Sequence, residues 1–386
     1  MNEHLTWAEV DLNAYAHNIT VLKRIAGRGT RLMAVVKANG YGHGAIEIAR
    51  EALKNGTENL GVARINEAVQ LREAGLQAPI LIFGYTPPSL AETLIKYDLT
   101  QTVYSIAAAN SLSEIANRQS RKIKVHIKVD SGMGRLGLML NTPAAGDPSN
   151  RPPLNPIHEV LSISRLPGLT MEGIFTHFAT ADSADKSYAN RQLEDFLDFV
   201  SRLHRAGLEP PIKHAANSGA LIDMPDSHLD MVRPGIATYG LYPSDEVDKS
   251  HVALKPVMTL KSRIIQLKTV PAGFNISYGI TYQTKKPTTI ATVPVGYADG
   301  FSRLLSNRGY MLVHGQKVPI VGRVCMDLTM LDVGSVRGVE IEDEVVVFGQ
   351  DGNESITADE VAAKLSTINY EIVSTITGRV ARVYLR

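Results

Sequence analysis

A lysine closing an apolar run is the first residue of this chain with an evident chemical use. Lys37 lies in AVVKANGYGHG, residues 34–44. Burying an ammonium is costly unless it is paired, and desolvation pushes it toward the free amine. A free amine condenses with an aldehyde into a Schiff base. The glycines and Tyr41 that follow let a loop approach a bulky ligand closely. On position alone, a strand-end lysine reaching solvent is the commoner case. In HIKVDSGMGRLG, residues 126–137, Arg135 rides on a Gly-flanked turn after Asp130. Its planar fork suits the two oxygens of a carboxylate. Lys128 stands two residues before Asp130 and so on the same strand face, where a structural role is the ordinary one.

Further along, His177 closes the strand-like run in EGIFTHFATAD, a position usually held by structural histidines. Asn217 and Ser218 in KHAANSGA and Arg233, Gly235 and Ile236 in MVRPGIATYG end two more runs. Short turns of this kind bind phosphate through backbone N–H groups. Tyr278 in ISYGITY can act as a base only beside cations that lower its pKa, and buried tyrosines are mostly packing groups. Cys325 beside Met326 reads as a small buried side chain. No metal-ligand spacing, Walker-type loop or Ser-His-Asp order is present, so no metal is expected.

These groups need a scaffold. Apolar runs at Leu32–Asn39, Asn59–Arg64, Pro79–Gly84, Gln101–Ser105, Lys124–Asp130, Leu169–Phe178, Ile212–Ser218 and Met231–Gly240 alternate with amphipathic segments such as AIEIAREALKNG and NRQLEDFLDFVSRLHRAG. Strands separated by helical crossovers predict an α/β fold, a (β/α)8 TIM-like barrel over residues 1–245. The candidate residues fall at C-terminal strand ends, the face where such barrels build active sites. The Pro- and Asn-rich stretch 142–156 reads as an exposed loop. After Tyr242–Ser250 the rhythm changes to short strand-like runs, predicting a mainly β C-terminal domain over 246–386. Within it a helix starts at Thr357, with Glu360 as capping-box partner.

Composition excludes some classes. Lys+Arg number 40 against 39 Asp+Glu, so no net field favours nucleic acid or an acidic membrane. One cysteine allows no intramolecular disulfide, and the N-terminal segment lacks the apolar core of a signal peptide. No stretch approaches a membrane span, and a cytoplasmic location is expected.

As an ordered set these motifs identify a family. EVDLNAYAHN, AVVKANGYGHG, DSGMGRLG, THFATAD, HAANSGA, MVRPGIATYGLYP, SYGITY, VPVGYADG, VGRVCMDLTM and INYEIV resemble those of the alanine racemases over nearly the whole chain. The resemblance implies a pyridoxal 5'-phosphate barrel with a C-terminal β domain that the N-terminal strand joins. It implies a head-to-tail homodimer with shared active sites, supplying D-alanine for peptidoglycan. Carried over by motif, Lys37 would hold the cofactor and act as one catalytic base, and Tyr278 of the partner subunit would be the other. Tyr41, Ser218, Gly235, Ile236 and Tyr370 would hold the phosphate. Arg233 would face the pyridine nitrogen and leave it unprotonated, with His177 orienting Arg233 and Tyr278. Arg135 and the Met326 backbone would bind the substrate carboxylate, Tyr297 would sit near the substrate entrance, and Lys128 matches a position carbamylated in some members. A serine or broader racemase is the alternative. A decarboxylase on the same barrel would be expected to place a carboxylate where Arg233 stands, and a non-racemising pyridoxal-phosphate-binding protein would be expected to lack the β domain.

Overall fold

The computed structural model describes residues 3–140 and 155–386. The loop expected at 142–156 lies, as far as residue 154, outside the described residues. The described chain forms two compact units, one of residues 16–40 and 45–254, the other of residues up to Tyr15, 41–44 and 255–386.

The larger unit is the barrel. Strands Arg31–Val35, Asn59–Val62, Ile80–Ile82, Thr100–Val103, Ile123–Asp130, Leu169–Phe175, Lys213–His214 and Met231–Val232 are joined by parallel pairing from Met231–Val232 through Arg31–Val35 round to Lys213–His214. Backbone bonds from Asp230 N–H to Lys213 O (3.1 Å) and Arg233 N–H to Ala216 O (3.0 Å) close the remaining seam. Helices on the outside follow from amphipathic spacing. In Ser187–Arg205 the buried face is carried by Leu193, Phe196, Phe199 and Leu203, and Arg202, His204 and Arg205 in the last turn complement the helix dipole. Met33, Leu81 and Met231 pack together inside the barrel.

Several strands are shorter than their apolar runs. The run 231–240 gives only Met231–Val232 before the single turn Ile236–Tyr239, because Pro234 has no N–H to continue the ladder. The run 212–218 gives Lys213–His214, and Ser218 instead opens the helix Ser218–Asp223 behind the N-cap Asn217. The first strand stops at Val35. Ala38, Asn39, Gly40 and Tyr41 then take φ of 52°, 54°, 62° and 50°, a left-handed turn where the sequence predicted strand as far as Asn39.

The smaller unit is strand-rich. Its main sheet runs Gln316–Pro319, Tyr310–Val313, Glu344–Asp351, Met258–Arg263, Thr6–Asp11, Ala381–Leu385. The N-terminal strand thus lies between an antiparallel and a parallel neighbour of this sheet. A second sheet joins Gln266–Val270, Thr288–Val293 and Thr329–Asp332. Thr357 caps the helix Ala358–Leu365 through Oγ1, which accepts from Glu360 N–H, while the Glu360 carboxylate engages Lys317 at 3.1 Å. Residues 41–44 belong to this unit: Arg382 Nε donates to Gly42 O at 2.9 Å, and a Cβ on Gly42 would stand 2.0 Å from Val373 O.

Gly42 (φ +85°) and Gly27 (φ +87°) therefore offer a controlled comparison, since Gly27 has no heavy atom within 4 Å of a built Cβ. Both alanine variants bear the left-handed penalty of about 1 kcal/mol. Gly42→Ala adds an overpacking cost of about 1–3 kcal/mol. Thermal unfolding is expected to show a clearly lower Tm for Gly42→Ala than for Gly27→Ala; equal values would contradict this packing.

Candidate active site

The C-terminal end of the barrel gathers cations. Arg233 follows the last strand and is buried. Its Nη2 donates to Thr176 O and Ala215 O, both at 2.9 Å, and lies 3.4 Å from His177 Nδ1. Its Nη1 donates to His214 Nδ1 at 2.8 Å, and the guanidinium lies over the Phe175 ring. Burial pushes its pKa down to about 9, which still leaves it charged at neutral pH. Guanidinium has five N–H donors; Nε–H and one Nη1–H have no acceptor among the described residues, so they are available to a ligand.

Lys128 is buried, with its ammonium 5.6 Å from the centroid of the same Phe175 ring. Burial, then Arg135 and Arg233, push its pKa down to about 8, against the opposing pull of Asp130. Lys37 is half-buried, and its pKa falls through burial and Arg135, with Glu67 pulling the other way. His177 is held well below its usual range by burial and by Arg233, Arg135, Lys128 and Lys37. Four cationic side chains thus act on one another here, and the chemistry of the site calls for an anion.

Two carboxylates shape the cluster. Asp130 Oδ1 accepts from the N–H groups of Gly132, Met133 and Gly134 at 2.7–3.1 Å, and Oδ2 from Arg135 N–H at 3.1 Å. Burial alone would raise its pKa, but these bonds hold it below the ordinary carboxylate value. A Cβ at Gly137 would lie 2.5 Å from Asp130 N, so the turn that carries Arg135 needs glycine there. Glu67 accepts from Ala38 N–H (2.6 Å), Ala63 N–H (2.8 Å) and Arg64 N–H (3.0 Å), which fixes the left-handed turn after Lys37. Asn39 Oδ1 accepts from Ala45 N–H at 3.0 Å and fixes its other end. Left-handed backbone costs roughly 1–2 kcal/mol per non-glycine residue, so such ties are required.

Ser218 is buried at the start of its short helix, and its Oγ accepts from Gly235 N–H (3.0 Å) and Ala237 N–H (3.3 Å). Ser218, Gly235 and Ile236 are thereby brought together as the sequence predicted, although on turns rather than strand ends. Behind Arg233, His214 Nε2 lies 2.7 Å from His126 Nδ1, and His214 stacks on Phe175.

The smaller unit holds the remaining candidates in two groups. Tyr41 is buried, with its phenol pushed well above its ordinary range by burial, and its ring lies 6.2 Å from that of Tyr370. Tyr278 is 71% exposed on the turn after Ser277. Ser277 Oγ donates to Arg323 O and meets Cys325 Sγ, while Tyr297 N–H donates to Cys325 O and Ala298 N–H to Met326 O. Tyr278, Tyr297 and Met326 are thus tied to one loop cluster, and all three are exposed.

Sequence reasoning missed Glu67, His214 and His126. Glu67 stands in the first turn of a helix, where an acid is ordinary. The two histidines share the inward strand parity of Lys128 and of Ile212, which was the signal available.

Comparison with known proteins agrees over the full length. Residues 10–243 match the family model "Alanine racemase, N-terminal domain" and residues 257–384 "Alanine racemase, C-terminal domain". An alanine racemase of Desulfosudis oleivorans is 54% identical over 384 residues, covering 100% of this chain and 97% of that one. The solved alanine racemase of Clostridium difficile superposes with a TM-score of 0.93 at 40% identity, covering 100% and 97%. That of Bartonella henselae with covalently bound pyridoxal phosphate gives 0.85 at 28% identity, covering 99% and 100%.

The electrostatics of Lys37 make a signed prediction. In the cofactor-free chain, the pH midpoint for acetylation of Lys37, followed by mass spectrometry, is expected below the 10.5 of an ordinary lysine. Arg135→Met moves it up and Glu67→Gln moves it down. A wild-type midpoint at the ordinary value, or shifts of opposite sign, would contradict the arrangement.

Proposed function

The chain belongs to the alanine racemase family, pyridoxal-phosphate-dependent isomerases, and from that premise we propose that it interconverts L- and D-alanine by proton transfer between two bases. The observation that carries the reading is the barrel end: Lys37 and Lys128 with pKa lowered by burial and Arg135, and a buried Arg233 whose spare donors and excess charge suit an anionic aromatic ligand. When bound, pyridoxal phosphate supplies an aldehyde for the substrate amine and a conjugated ring that accepts the electron pair left by the α-proton.

The chain's own residues do the rest. Lys37 Nζ, whose pKa burial and Arg135 lower, takes or returns a proton on one face of the α-carbon, and Tyr278 Oη of the partner subunit serves the other face. Inversion requires bases on opposite sides, which is why they come from different elements. Arg233 would offer its spare N–H donors to the pyridine nitrogen and, being charged at neutral pH, would give it no proton, with His177 positioning Arg233 and Tyr278. Ser218, Gly235 and Ile236, with Tyr41 and Tyr370, take the phosphate; the Tyr41 phenol stays protonated and so donates. Arg135 and Met326 N–H bind the substrate carboxylate, and Tyr297 lines the entrance. Lys128, an amine near its pKa beside Arg135, is the residue for carbamylation: its nitrogen adds CO2 and releases a proton, turning repulsion of Arg135 into attraction.

A homodimer follows from the same reading. Tyr278, Ile280, Met326 and Tyr297 are large apolar or aromatic groups left exposed on one unit, as a surface awaiting a second copy would be. The reading places the enzyme in the cytoplasm, making D-alanine for peptidoglycan. Among the described residues no helix is long and apolar enough to cross a membrane.

Complementation tests the shared site. Lys37→Ala and Tyr278→Phe are each expected to lack racemase activity on L-alanine as pure homodimers. Refolded together, about half the dimers are mixed, and each contains one site with both bases intact, so about a quarter of wild-type activity returns. Mass-verified mixed dimers without activity would contradict the shared site.

A further inference from the structure

The barrel has a second opening, at the N-terminal ends of its strands. There a cavity of about 370 Å3 is lined by Arg31, Met33, Leu81, Thr100, His126 and Glu172, among others. His126 is only 4% exposed. The direction of its hydrogen bonding follows from Arg233. Arginine only donates, so His214 Nδ1 accepts from Arg233 Nη1 and, being neutral, carries its proton on Nε2. That N–H donates to His126 Nδ1, and neutral His126 therefore carries its own proton on Nε2. Among the described residues nothing accepts from His126 Nε2. An N–H donor is thus left at the cavity wall, where a ligand acceptor can reach it. The ring has this position because residue 173 is glycine: a Cβ there would lie 2.8 Å from His126 Cε1 and Nδ1.

Charges of both signs face the same space. Arg31 and Glu172 act on each other at a distance, with no ion pair joining them. Thr100 Oγ1 donates to Glu172 Oε2 at 3.2 Å, and the nearby Lys124 and Asp98 already pair with each other at 2.8 Å. Burial raises the Glu172 pKa, the sign of a carboxylate short of compensation. Met33 and Leu81 supply an apolar wall.

We propose that this cavity binds a small zwitterionic α-amino acid at a site separate from the one at the other barrel end. The ligand carboxylate accepts from His126 Nε2–H and from Arg31, its ammonium faces Glu172, and its side chain lies toward Met33 and Leu81. A simple anion would meet the Glu172 carboxylate, and a simple amine would leave His126 and Arg31 without an acceptor. The site does not rest on the racemisation reading.

Equilibrium dialysis of the cofactor-loaded enzyme with radiolabelled glycine tests it. Wild type is expected to bind one more glycine per chain than Arg31→Met or Glu172→Gln, each of which weakens that binding by about tenfold or more. Because the extra molecule is counted as a difference, occupancy of the active site cancels. In enzyme labelled with 15N-histidine, glycine shifts the His126 Nε2 resonance in wild type, and acetate or methylammonium at equal concentration does not. Equal stoichiometry in all three proteins, or no His126 shift in wild type, overturns the site. Acetate binding as tightly as glycine, unaffected by Glu172→Gln, makes it an anion pocket and overturns the amino-acid assignment. The wild-type titration decides even where a variant fails to fold.

Discussion

The guanidinium of Arg233 is buried among acceptors, with no carboxylate paired to it among the described residues. An isolated buried charge costs several kcal/mol even after relaxation. Two carbonyl oxygens, one imidazole nitrogen and the face of Phe175 offset that cost without neutralising the charge. The surplus positive charge is the constraint to which the neighbouring groups respond.

Its consequences run in two directions. Toward the C-terminal end of the barrel, burial, then Arg135 and Arg233, depress Lys128, and its neighbour Lys37 is depressed by burial and Arg135, so both amines come closer to the free form. An anionic ligand is the natural complement, and the carboxylates close by are already committed to backbone N–H groups: Asp130 to the turn bearing Arg135, Glu67 to the turn after Lys37. Toward the barrel interior, the same arginine fixes the tautomers of His214 and His126, because it can only donate. One residue thus orders the polar groups from one end of the barrel to the other.

Much of this was legible in the residues themselves. The alternation of β-branched runs and amphipathic helices gave the barrel, since strand and helix periods are local properties. The Lys37 and Arg135 motifs were legible because each is a contiguous stretch with its own turn glycines. The arrangement behind Arg233 was not, because His126, Phe175 and His214 lie on three strands and meet only once the barrel registers are set. The left-handed turn at Ala38–Tyr41 was hidden for a related reason: it depends on Glu67 from the next crossover helix, a tie that local propensity does not carry. Residues 41–44 likewise show their neighbours only after folding, where Val373 and Arg382 meet them.

The central claim is that burial and the Arg233 charge together hold His214 and His126 neutral, and that Arg233, as a donor, fixes their tautomers. The direct measurement is a pH series of 15N imidazole spectra on wild type and Arg233→Met. In wild type both rings are expected to remain neutral with the proton on Nε2 at mildly acidic pH, where an ordinary histidine is already charged. In Arg233→Met their pKa values are expected to rise and the tautomers to mix. Imidazolium signals for either ring in wild type near neutral pH, or a proton on His214 Nδ1, would contradict the account.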